Sequence, residues 1–138
     1  MILGIGSDLV DIRRVERAIA RAPERFIARI FTAGEQALAA ARAHPRLQAS
    51  TLAKRWAAKE ATVKALGTGF RDGISWHDIE VVTLDNGRPD LHLHGAARER
   101  WHAMLPPGLI GRLDVSLSDE YPYAQAWVVL SAHSPTET

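Results

Sequence analysis

Residues 55–69, Arg-Trp-Ala-Ala-Lys-Glu-Ala-Thr-Val-Lys-Ala-Leu-Gly-Thr-Gly, decide the fold. Leu52, Trp56, Lys59, Val63 and Leu66 recur at helical spacing. The alanines at 57, 58, 61 and 65 add helix propensity and allow close packing. Gly67 and Gly69 supply a C-terminal stop, so the spacing predicts one long helix over residues 50–66. Beyond it the period changes. Residues 78–84 and 90–94 read as strands joined through Asn86-Gly87, a strong hairpin signal. A helix over 96–104 ends at Pro106-Pro107-Gly108. Leu113, Val115 and Leu117 then alternate with polar residues, and a last strand over 124–130 follows Tyr121-Pro122.

Before the long helix, residues 1–7 read as a short buried strand ending at Asp8. A helix follows from about Asp11, with Ile12, Val15 and Ile19 on one face and Arg14, Arg17 and Arg21 roughly opposite. Pro23 interrupts it, and a second piece carries Arg25 and Arg29. Thr32 and Glu35 have the spacing of a capping box that opens an Ala-rich helix fading near His44-Pro45. Helices gather in the first half and antiparallel strands in the second, which is an α+β pattern. At 138 residues the chain fits a single domain, expected over 1–132 with a tail at 133–138.

Composition narrows the chemistry. The absence of cysteine excludes zinc ribbons, disulfides and thiolate nucleophiles. No apolar run approaches a membrane span, and Asp8 and Asp11 interrupt the N-terminal segment where a signal sequence must be uncharged, so a cytoplasmic protein is expected. The net charge of +1 conceals six arginines against Glu16 and Glu24 in residues 13–29, a basic patch suited to one acidic partner. Nucleic-acid binding is disfavoured by the modest pI of about 8.2 and by the absence of aromatic residues interleaved with the basic ones.

Two clusters carry polar chemistry. Asp8 either caps the first helix, as Asp11 also can, or offers a hard oxygen to a divalent cation. Glu60 and Lys64 lie four apart beside the apolar stripe, an arrangement of either a surface ion pair or a metal-and-phosphate site. Gly4-Ile-Gly6 is no dinucleotide fingerprint, since Leu9 fills the third glycine place. His92 and His94 share a strand face with polar neighbours and read as solvated. Trp76, Trp101 and Trp127 read as core or interface residues.

GIGSDLVDIRRVE (4–16), RWAAKEATVKALGTG (55–69), DIEVVTLDNGRPDL (78–91) and VSLSDEYPYAQAWVV (115–129) together resemble the holo-[acyl-carrier-protein] synthase family, the small bacterial 4′-phosphopantetheinyl transferases. The resemblance runs in order from residue 2 to about 131. It implies the 4′-phosphopantetheinyl transferase fold, helices packed on a mainly antiparallel sheet. The implied reaction moves phosphopantetheine from coenzyme A to a serine of apo acyl carrier protein, in support of fatty acid biosynthesis. By the same resemblance, Asp8 and Glu60 hold Mg2+, with Glu60 and Lys64 catalytic. Arg55, Lys59, Lys64 and Gly67 line the coenzyme A site, and Arg14, Arg25, Phe26 and Arg29 meet the carrier protein. A homotrimer with active sites between subunits is implied as well. The sequence departs from the commonest family pattern, S-x-S-H, at Ser116-Leu-Ser118-Asp119, where Asp119 replaces the histidine.

Overall fold

The computed structural model describes residues 1–136. The elements in order are β1 (Ile2–Asp11), α1 (Ile12–Arg21), α2 (Pro23–Ile30), α3 (Ala33–Ala40) and α4 (Pro45–Leu66). A short 3-10 turn (Trp76–Asp78), β2 (Ile79–Thr83), β3 (Pro89–Leu93), α5 (Gly95–Met104), β4 (Ile110–Glu120) and β5 (Tyr123–His133) complete the chain. Strands β1, β5 and β4 form one antiparallel sheet with β5 central, and β2 and β3 form a separate antiparallel hairpin. The α+β expectation holds.

Helix α4 is the axis of the molecule. It lies against the inner face of the three-stranded sheet, where Ala124, Ala126, Val128 and Leu130 of β5 are fully buried, while α1 and α3 pack on its other sides. That surround explains why α4 buries fourteen of its residues and shows no clean polar face. The helix starts at Pro45, five residues ahead of the expected Ser50. Pro45 marks an opening here and not a stop, because proline at the first helical position gives up an N–H that has no partner anyway. At the other end Gly67 adopts φ 77°, the left-handed cap conformation that a side chain resists, and its N–H returns to the Lys64 carbonyl. Arg100 of α5 donates to the Leu66 carbonyl at 3.0 Å and seals the same terminus.

Strand β1 is longer than its apolar beginning suggests, running through Asp8 to Asp11. Asp11 is therefore the residue that caps α1, accepting from Arg13 N–H at 2.9 Å, and its hydrogen bond with the Arg13 guanidinium holds its carboxyl down at about 2. Asp8 sits three residues earlier, inside the strand and on the face turned to α4. Gly4 and Gly6 explain how the strand fits there. A Cβ on Gly4 would lie 2.2 Å from the Ala65 carbonyl oxygen, and one on Gly6 would lie 1.9 Å from that of Ala61. Strand and helix touch backbone to backbone, with glycine on one side and alanine on the other.

β5 includes His133, the first residue of the expected tail. Residues 137–138 of that tail lie outside the described residues.

Candidate active site

The Gly4/Gly6 contact carries Asp8 to the C-terminal half of α4. Lys64 Nζ lies 3.0 Å from Asp8 Oδ1 and donates also to the Ser7 carbonyl at 3.0 Å. Glu60 stands one helical turn before Lys64. Burial first, and the Asp8 charge second, push the Glu60 carboxyl above its ordinary range, with Lys64 and Arg14 opposing. Asp8, Glu60, Lys64 and Arg14 thus form one electrostatic cluster drawn from β1, α4 and α1. Arg14 spans two surfaces, since its guanidinium lies 5.3 Å from the Trp56 ring centroid while the rest of α1 presents Arg17 and Arg21 to solvent.

Two carboxylates that repel one another, with a single lysine in contact, suit a divalent cation. Among the described residues no group of three or more metal-ligating side chains converges. A closed protein cage is therefore not present. Magnesium does not require one, because it binds through one or two carboxylates and fills its shell with waters and substrate phosphates. Asp8 and Glu60 fit that pattern.

The other expected ligand-binding residues divide. Gly67 is exposed, three residues beyond Lys64. Arg25 and Arg29 project into solvent from α2, and Phe26 packs edge-on against Trp56 at 5.5 Å. Lys59 does not line a surface, contrary to its expected place at the coenzyme pocket. Its side chain is 0% exposed, pairs with Glu35 at 2.8 Å, and donates to the carbonyls of Trp76 and Ile79. Its partner lies 24 positions back in α3, beyond the reach of any local spacing rule.

Arg55 lies about half a turn around α4 from Lys64 and faces a different depression. There a cavity of about 490 Å³ is lined by Arg42, Lys54, Arg55, Thr83, Arg88 and the Val115–Leu117 stretch of β4. Arg55 is only 5% exposed and is fixed by hydrogen bonds to the Thr51 carbonyl and the Thr83 hydroxyl, both at 3.2 Å. Its Nε has no partner. An arginine held this firmly, beside three further cations, gives the depression a positive lining that complements an anion. Arg42, Lys54 and Arg88 come from three separate segments, so only Lys54, next to Arg55, left any trace in the sequence.

Comparison with known proteins decides what the cluster belongs to. Residues 4–124 match the model of the 4′-phosphopantetheinyl transferase superfamily. The chain belongs to that family. Within it, the similar proteins are holo-[acyl-carrier-protein] synthases. That of Rhodopseudomonas palustris strain BisA53 is 52% identical over 136 residues, covering 98% of both chains. That of Afipia carboxidovorans is 55% identical, covering 96% of this chain and 97% of its own. Among solved structures, the synthase from Neisseria meningitidis superposes with a TM-score of 0.78 at 35% identity, over 95% of this chain and 99% of the other. The Helicobacter pylori synthase, solved in complex with coenzyme A, gives 0.75 at 28% identity, over 92% and 99%.

Proposed function

We propose that this chain is a magnesium-dependent holo-[acyl-carrier-protein] synthase. It moves the 4′-phosphopantetheine arm of coenzyme A onto a serine of an acidic apo acyl carrier protein and releases 3′,5′-ADP. It acts in the cytoplasm, in support of fatty acid biosynthesis. The single observation that carries the reading is the meeting of Asp8 with Glu60 and Lys64 where β1 crosses α4.

The difficulty of the reaction is charge, because a serine oxygen must approach a diphosphate that already repels it. Magnesium, when bound, supplies Lewis-acid charge at the diphosphate. Asp8 and Glu60 would hold it. Lys64, half exposed and one turn from Glu60, offsets charge on a phosphate oxygen. The serine Oγ forms its bond to the phosphorus that carries the pantetheine arm, and the bond from that phosphorus to 3′,5′-ADP breaks. Glu60 takes the serine proton, directly or through a water it orients.

The nucleotide end of the coenzyme suits the cavity at Arg55. One molecule cannot reach both that cavity and Lys64 on a single protomer without wrapping α4, since the two lie on opposite sides of it. A site shared between subunits removes the difficulty, with the carboxylates from one copy and the basic cavity from another. The outer face of the three-stranded sheet supports such an assembly: Ile5, Leu9 and Trp127 are 58%, 61% and 47% exposed there. We read the protein as a homotrimer.

Arg14, Arg25 and Arg29, with Phe26 beside them, form the surface for the carrier, whose acidity they complement. The decisive test incubates the protein with coenzyme A, magnesium and an apo carrier protein. The carrier gains the mass of one phosphopantetheine unit, and a chelator abolishes the gain. An unchanged carrier mass in the presence of magnesium refutes the reading.

A further inference from the structure

Four cations line the cavity beside Arg55, and among the described residues only one of them is ion-paired. Lys54 Nζ lies 3.2 Å from Asp119 Oδ2. Both side chains are partly exposed, at 25% and 37%, so the pair contributes little to stability. Its placement is more informative. Lys54 leaves α4 one residue before Arg55. Asp119 lies on β4 two and four residues beyond Leu117 and Val115, on the same strand face, and both of those line the cavity.

The carboxylate thus stands just past the rim, and it grips the cavity cation that adjoins Arg55 on α4. Arg55 needs no such help, because Thr51 and Thr83 already fix it. A lysine held in advance by a carboxylate loses less rotamer freedom when an anion arrives. We propose that Asp119 is a positioning residue: it holds the Lys54 ammonium at the rim of the basic cavity, where Lys54 meets a phosphate of coenzyme A, and does not itself contact the coenzyme. The proposal rests on the coenzyme reading given above.

Asp119 then has two opposed effects. It orients a cation that attracts the ligand, and its own charge repels the ligand. With Lys54 present the first effect dominates. Without Lys54 only the repulsion remains. The sign of an Asp119 substitution therefore depends on Lys54, a dependence that no purely structural role produces.

Calorimetric titration with coenzyme A, in the presence of a chelator and without carrier protein, reads this directly. Thermal melts confirm that each variant is folded. Lys54→Met weakens binding about tenfold, the loss of one charge-assisted contact. Lys54→Arg retains most of the affinity. Asp119→Asn weakens binding about threefold in the wild-type background and tightens it slightly in Lys54→Met. With carrier and magnesium added, both single variants raise KM for coenzyme A far more than they lower kcat. Equal effects of Asp119→Asn in the two backgrounds, or tighter binding from Asp119→Asn alone, overturn the proposal while leaving the coenzyme reading intact. A wild-type protein that binds no coenzyme A when magnesium replaces the chelator overturns the reading beneath it.

Discussion

Of the three lysines on helix α4, Lys59 and Lys64 stand five residues apart and live in opposite circumstances. Lys59 is sealed from water with every donor used: Glu35 faces its ammonium and two carbonyls complete the shell. Glu35 is equally satisfied, since it also accepts from the Thr32 and Val81 N–H groups. Lys64 is half exposed and shares Asp8 with a neighbouring Glu60 that burial and like charge have left uneasy. One pair fastens three elements together. The other leaves electrostatic work undone, and that unfinished state is what a cation and a phosphate complete. In this protein saturation marks architecture and deficit marks chemistry.

The largest effect expected is at the saturated pair. Lys59→Met strands a buried Glu35 carboxylate and costs about 3–5 kcal/mol of stability, read by urea unfolding. A loss under about 1 kcal/mol would erase the contrast. At the deficient pair, Glu60→Gln lowers kcat at least about a hundredfold with the fold intact. It also raises the melting temperature of the metal-free protein at neutral pH. The sign follows from the raised Glu60 carboxyl. Its neutral form is the one the fold prefers, so the stability it contributes is present at low pH and is lost as pH rises through the folded value. The thermal advantage of the glutamine variant therefore appears at neutral pH and disappears in acid. A variant that melts lower than wild type at pH 7 would place Glu60 with the architectural group.

Between the two in character is Gly6→Ala. The added methyl collides with the Ala61 carbonyl, so β1 must lift from α4 at a cost of about 1–3 kcal/mol. Activity falls further than stability alone explains, because Asp8 is carried away from Lys64; kcat measured well below the melting temperature separates the two. The smallest effect is at the docking surface. Arg14→Glu raises KM for the carrier roughly tenfold at low salt, and the gap narrows as ionic strength rises. An unchanged KM removes Arg14 from that surface.

The helix order, the Asn86-Gly87 hairpin and the final strand pair were legible because each rests on local periodicity or turn chemistry. Glu35 shows where that legibility ends. Its capping-box role follows from three-residue spacing and is present, yet its bond to Lys59 depends on how α3 lands against α4, which no pattern along the chain records. Asp8 shows the converse. Its importance was readable only through resemblance, and its position was misjudged because its charge reads as the end of an apolar strand, while Leu9 and Val10 carry that strand on to Asp11. The cavity at Arg55 was least visible of all, assembled from the turn after α3, from α4, from the β2–β3 hairpin and from β4.

The bare seam between β1 and α4 fixes more than a contact. With no side chain between the two backbones, there is no rotamer to adjust and no volume to trade, so the offset between position 8 and positions 60 and 64 is set by peptide geometry alone. Most interiors absorb mutation by small compensating shifts. Here the ruler that spaces the acidic groups has no slack at residues 4, 6, 61 and 65.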